Sequence, residues 1–75
     1  MYLSDLIRPL VNKELKSKCI GRNVTFAHAG NKITIVCKDV NFCDDDGDCW
    51  IEFTDENGEK YFTDGQGIDI WFDID

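Results

Sequence analysis

Lys32-Ile-Thr-Ile-Val-Cys-Lys-Asp-Val-Asn-Phe42 decides the fold. Ile33, Ile35 and Cys37 share one face of a strand, because successive side chains of extended backbone point to opposite sides. The apolar parity then moves by one residue, to Val40 and Phe42. A strand keeps one core face through such a shift only if it takes in an extra residue, so a bulge or sharp bend is expected near Lys38-Asp39. A long strand bent in its middle curls the sheet to which it belongs. Further strands read outward from it over 23–29, with Val24 and Phe26 inward, and over 48–54, with Cys49, Ile51 and Phe53 inward. A short strand follows over 59–63. The last, over 68–74, alternates Ile68, Ile70, Phe72 and Ile74 with Asp69, Trp71, Asp73 and Asp75. The turns between them are Ala29-Gly-Asn31, Asp44-Asp-Asp-Gly47, Glu56-Asn-Gly58 and Asp64-Gly-Gln-Gly67, rich in residues that tolerate positive φ or bond their own backbone.

Ahead of the strands, Leu3, Leu6, Ile7, Leu10, Val11 and Leu15 recur at three- and four-residue steps and predict a helix over 3–18. Ser4 or Asp5 is a candidate cap at its start, and Lys13, Lys16 and Lys18 lie near its end, where cations suit the helix dipole. Pro9 lacks an N–H and crowds the preceding turn. A kink is therefore expected there, or a helix proper that begins near it. Gly21 is the expected stop.

The resulting fold class is α+β, in one domain over 1–75: an N-terminal helix packed on a curled antiparallel sheet or small SH3/Sm-like barrel of about five strands. A helix followed by five strands is the order of Sm-like small barrels, and Gly21-Arg-Asn-Val-Thr-Phe26, Gly30 and Lys38-Asp-Val-Asn41 resemble the first Sm motif. The spacings from Gly30 to Asp39 and from Asp39 to Asn41 depart from that motif, and the second motif is not recognisable. The resemblance therefore implies architecture and carries no function.

Charge is divided by position. Residues 1–38 hold seven of the eight bases and two acids, net +5; residues 39–75 hold Lys60 against thirteen acids, net −12. A division this sharp suggests a partner that reads charge. The start, Met1-Tyr-Leu-Ser-Asp5, has no basic stretch followed by an apolar run, which argues against a signal peptide. No window reaches the length of a membrane span, so a cytoplasmic protein without a membrane partner is expected. Cys19, Cys37, Cys43 and Cys49 are then expected to be reduced thiols.

The candidate contact surface is the outward face of the last strand, Asp69, Trp71, Asp73 and Asp75, helped by the acidic turn Asp44, Asp45, Asp46 and Asp48. Residues two apart on a strand stand roughly 6.5–7 Å apart, close to the spacing of phosphates along a nucleic-acid strand. Aspartates at that spacing fit a groove built for nucleic acid, and an exposed Trp among them suits a binding hot spot. The plainer account is that outward strand positions are polar and that Asp favours turns. The concentration of acids, nearly without bases, shifts the balance. The expected function is a small acidic non-enzymatic inhibitor or regulator. It would dock on a basic nucleic-acid-handling protein, with mimicry of nucleic acid as one route, and would not bind nucleic acid itself. Small acidic domains of this kind resemble, in character only, the accessory proteins that phages use against host or defence machinery. The alternatives are a homo-oligomeric assembly module with the basic half of one copy against the acidic half of the next, and a small-ligand-binding barrel.

No catalytic residue, metal or cofactor is assigned. With Gly47 at the glycine position of an EF-hand loop, Phe42 and Phe53 fall on ligand positions; with Gly58 there, Phe53 falls on the first. Cys37, Cys43 and Cys49 are spaced by six rather than by the short step of zinc sites, although Cys43 and Cys49 flank the acidic turn symmetrically and are placed to face each other across it. His28, the single histidine, lies on the core-facing parity near a strand end. No nucleophile elbow, phosphate loop or dinucleotide fingerprint occurs.

Overall fold

The computed structural model describes residues 1–6, 8–46, 48–64 and 70–75, with Arg8 by its backbone only. The expected single N-terminal helix is broken into three parts. Leu3–Asp5 and Arg8–Leu10 are short 3-10 turns, and the α-helix proper, α1, runs Val11–Cys19. Pro9 is the cause: it sits inside the second turn, and regular α-helix begins two residues after it. Leu3, Leu6, Val11 and Leu15 are buried, but Leu10 is 47% exposed, because a helix that starts at Val11 turns Leu10 off the core face. Ile7 lies outside the described residues. Gly21, at φ +84°, ends the helix. Arg22 N–H bonds back to Cys19 O at 3.0 Å, the left-handed exit that glycine makes at no steric cost.

Five antiparallel strands follow: β1 Asn23–His28, β2 Asn31–Asp45, β3 Asp48–Asp55, β4 Lys60–Phe62 and β5 Phe72–Ile74, in the spatial order β4-β3-β2-β1-β5. β2 is longer than expected and belongs to both halves of the sheet. Its first half pairs with β1, and its second half pairs with β3. At about 3.3 Å per residue a straight strand of 15 residues would run about 50 Å. The longest dimension of the molecule is 30 Å, so β2 must bend. It does so where the parity shift lies: the register slips between Cys37 and Asp39, and Lys38 is the extra residue. Cys37 and Val40 are both buried on the core side of that slip.

The bend closes the two halves over one core. β1 and β3 are two strand spacings apart, roughly 10 Å in a flat sheet. Yet Phe26 of β1 and Phe53 of β3 stack with ring centroids 4.5 Å apart, and Phe72 of β5 lies 6.2 Å from Phe53. Leu15 and Cys19 of α1 are fully buried against the same cluster. Among the described residues the sheet is open rather than closed into a barrel: no ladder joins β4 to β5 or β1. Just beyond β4 the chain reaches β1, where Asp64 N–H donates to Ala27 O (2.8 Å), while Thr63 N–H to Ile51 O (3.1 Å) continues the pairing with β3.

Of the strand expected over 68–74, the described part is shorter. β5 has three residues, Trp71 makes an isolated bridge with Tyr2, and Ile68 and Asp69 lie outside the described residues. Leu3 N–H to Ile70 O and Phe72 N–H to Met1 O, both 2.9 Å, cover the outer edge of β5. The second half of β2 is covered by α1. Asn12 Oδ1 accepts from Phe42 N–H at 2.7 Å, and Lys16 Nζ donates to Val40 O at 2.8 Å.

Candidate protein-binding surface

The register assigns every outward side chain. On the β5–β1–β2 half, cross-strand rows read Asp73–Thr25–Thr34 and, one pleat further on each side, Asp75–Asn23–Val36 and Trp71–Ala27–Lys32. Asp73 and Asp75 are exposed, and Thr25 and Thr34 bond hydroxyl to hydroxyl at 2.7 Å beside them. Trp71, expected as a free aromatic, is half-buried. Only the Ala27 methyl separates it from Lys32, whose Nζ stands 4.9 Å above the indole centroid in a cation–π contact. Asp69 lies outside the described residues, so the acidic row is seen here as Asp73 and Asp75.

The second acidic group sits elsewhere. Asp45 pairs with Asp48, which leaves a two-residue loop at the tip of the β2–β3 hairpin. Asp46 takes φ +52° in that loop, a conformation Asp tolerates better than most side chains. Asp44, Asp45, Asp46 and Asp48 are all exposed. Along β2, Asp45 lies eleven residues beyond Thr34, past the bend, so the hairpin tip and the β5 row form two patches rather than one face. The ion pairs among the described residues are Lys16–Asp39 at 2.7 Å and Lys60–Glu52 at 3.6 Å; none of the six described aspartates of the two patches has a cationic partner there.

Beside the hairpin tip is an apolar surface that the sequence reading passed over. On β3, Trp50 and Glu52 alternate with the buried Cys49, Ile51 and Phe53, and so point outward. Register sets Cys43 opposite Trp50, and Glu52 opposite Phe62. Phe62 is 49% exposed, with its ring edge-on to Trp50 at 6.4 Å. The Trp50 indole N–H is buried without a hydrogen-bond partner among the described residues. Burial pushes the Cys43 thiol pKa up, and the Glu52 carboxylate adds to the rise. The signal was present in the parity of β3: a large aromatic between two core positions faces out.

The remaining sequence candidates are dispersed. Cys43 and Cys49 do not face each other. Cys49 pairs with Asp44 and is buried, whereas Cys43 pairs with Trp50 on the opposite face. Cys19 and Cys37 meet in the core as free thiols, where burial pushes their pKa values up to about 12 and about 11. Such thiols are protonated and inert at neutral pH. His28 Nδ1 lies 2.8 Å from Phe62 O, and since a carbonyl only accepts, Nδ1 carries the proton; its ring meets Tyr61 edge-on at 5.4 Å. Among the described residues no three His, Cys, Asp or Glu side chains gather as a metal site would need. A shallow groove of ≈ 500 Å³ along α1 is lined by both signs of charge, Asp5 and Glu14 with Lys13 and Lys18. No described helix is long and apolar enough to cross a membrane. No family model, no curated protein and no solved structure matches the chain.

Proposed function

We propose that this chain is a small non-enzymatic binding protein that docks on a basic, nucleic-acid-handling protein and inhibits or regulates it. One observation carries the reading: four exposed aspartates, Asp44, Asp45, Asp46 and Asp48, crowd a hairpin tip with no cationic partner among the described residues. Holding like charges this close is unfavourable in the free protein, and a cationic partner relieves it. The exposed Phe62 and half-buried Trp50 beside the tip supply the apolar anchor that charge alone lacks. Asp73 and Asp75, with Trp71 and Asp69, form the second contact of the proposal. The net charge of −7 adds long-range steering toward a cationic partner.

The test is capture from bacterial lysate by the tagged protein at low and high salt, read by mass spectrometry. The expected result is a basic nucleic-acid-binding protein, released by salt or by competing DNA. The same capture with Asp44, Asp45, Asp46 and Asp48 changed to Asn is expected to fail. Undiminished capture by that variant would remove the hairpin tip from the contact.

A further inference from the structure

The first half of β2 has an edge that nothing among the described residues covers. Two bonds fix the phase of its backbone. Cys37 N–H donates to Arg22 O at 2.9 Å, and on the far side of β1 Asp75 N–H donates to Asn23 O at 3.0 Å. Odd-numbered residues of β2 from Asn31 to Cys37 therefore turn their peptide groups toward β1. Lys32, Thr34 and Val36 turn theirs the other way, where β3 is already past its end: its ladder with β2 reaches only as far as Asp55 opposite Cys37. Among the described residues no backbone group pairs with this edge. The other edges are handled, β5 by Met1–Leu3 and the second half of β2 by Asn12 and Lys16, while β4 is only three residues long and starts with a lysine.

The open edge is also apolar and β-prone. Ile33 and Ile35 face the core yet stay half-buried, with no strand beside them on this edge among the described residues, and Val36 is 40% exposed on the outer face. A groove of ≈ 330 Å³ runs along it, lined by Thr34, Ile35, Val36, Asp55 and Glu56 among others.

We propose that this edge pairs with the same edge of a second copy of the chain, joining two curled sheets across a two-fold axis at Ile33. Register follows from the neighbours. Asp55 occupies the place beside Cys37 and blocks a ladder from extending that far. With the axis at Ile33, the partner's chain reaches Gly30 opposite Val36 and turns away there, since Ala29 and Gly30 form the tight β1–β2 turn. Lys32 and Thr34 of each copy then exchange backbone hydrogen bonds with Thr34 and Lys32 of the other, and the two Ile33 side chains meet on the inner face. A second copy suits this edge because it is self-complementary: across the two-fold axis each outward N–H and C=O of one copy meets its complement in the other, twice by symmetry. The interface is small, so association is expected at protein concentrations on the order of 100 µM.

The pairing predicts opposite effects of two substitutions at one exposed position. Thr34→Lys sets two lysines opposite Lys32 of the other copy, and Thr34→Glu sets two carboxylates there. Both lose the Thr25–Thr34 hydroxyl bond equally, so each controls for the other. Sedimentation equilibrium is expected to give twice the 8.6 kDa monomer mass for the wild-type chain, with dimer affinity about tenfold weaker in Thr34→Lys and undiminished in Thr34→Glu. Circular dichroism checks that both variants fold. A wild-type chain that stays monomeric across this range overturns the proposal. So does a dimer that Thr34→Lys leaves intact, or one that both folded variants lose. A mass above dimer that falls as salt rises would indicate head-to-tail charge pairing instead, and would equally overturn it.

Discussion

Ala29 sits at φ +50°, where a side chain with a Cβ costs roughly 1–2 kcal/mol. With Gly30 at φ +82° it forms the two-residue turn between His28 and Asn31, the type whose twist matches antiparallel strands. Asp64 holds it there: Oδ1 accepts from Ala29 N–H at 3.0 Å and Oδ2 from Gly30 N–H at 2.7 Å. Two substitutions separate the strain from its restraint. Ala29→Asn supplies a residue that accepts positive φ and is expected to stabilise the fold by about 1 kcal/mol. Asp64→Ala frees two donors and is expected to destabilise it by roughly 1–2 kcal/mol. Urea denaturation checks both, and a stability loss in Ala29→Asn would show that the turn carries no strain. The sequence shows Ala29-Gly-Asn31 and Asp64 as turn residues, each from local chemistry. It does not show that one holds the other, because 34 and 35 residues separate the partners and turn propensity carries no long-range term. The same limit hid Trp50 and Phe62, whose pairing exists only once β3 and β4 are in register.

Among the elements, β1 and β3, which keep a period of two between turn residues, are recovered nearly to their ends. The parity shift at Lys38 locates the bulge to the residue, since burial leaves only one way to keep Cys37 and Val40 both inside. The helix proper begins near Pro9, as the missing N–H there leads one to expect, and is shorter than the apolar spacing over 3–18 because that spacing continues through Pro9 whereas helical hydrogen bonding does not. Its real attachment is polar. Lys16 Nζ donates to Asp39 Oδ1 at 2.7 Å, to Val40 O at 2.8 Å and to Asn41 Oδ1 at 3.3 Å, pinning α1 to β2 just past the bend. The Lys16 hydrogen bond, helped by that from Val40 N–H, holds the Asp39 carboxyl below its usual pKa. A carboxyl whose pKa is depressed by folding stabilises the native state above its unfolded pKa of about 3.9, and that contribution is lost as pH falls through the folded value. The two side chains are 40% and 49% exposed, so after screening the pair is worth at most about 1 kcal/mol. Lys16→Met is therefore expected to lower stability at pH 7 and to differ less from wild type at pH 2. A gap that stays constant between those pH values would mean that Asp39 contributes nothing and that the Val40 carbonyl is the partner that counts.

At the scale of the whole molecule, charge divided along the chain is not divided in the same way in space. β5, from the acidic half, lies beside β1, from the basic half, and Lys32 reaches Trp71 across that seam. The hairpin tip and the Asp55–Glu59 turn keep the acidic surplus, and the chain as a whole carries −7. Two electrostatic effects then oppose each other as salt is added. Screening relaxes the self-repulsion of a compact molecule with long-range excess charge, and it also weakens the two exposed ion pairs. The pairs are the smaller effect, because exposed pairs are typically worth 1 kcal/mol or less and only two are found among the described residues. The unfolded chain spreads the same charges over a larger volume, so screening benefits the folded state more. Raising sodium chloride from about 10 mM to about 500 mM, where the Debye length shrinks from about 30 Å to a few Å, is therefore expected to raise Tm by several degrees. The measurement belongs at micromolar concentration, well below that at which the β2 edges are expected to pair, so that folding alone is read. A Tm that falls with salt would reverse the ranking: the local pairs at Lys16 and Lys60 would outweigh the repulsion among the aspartates, and the hairpin tip would hold its charge at little cost to the free protein.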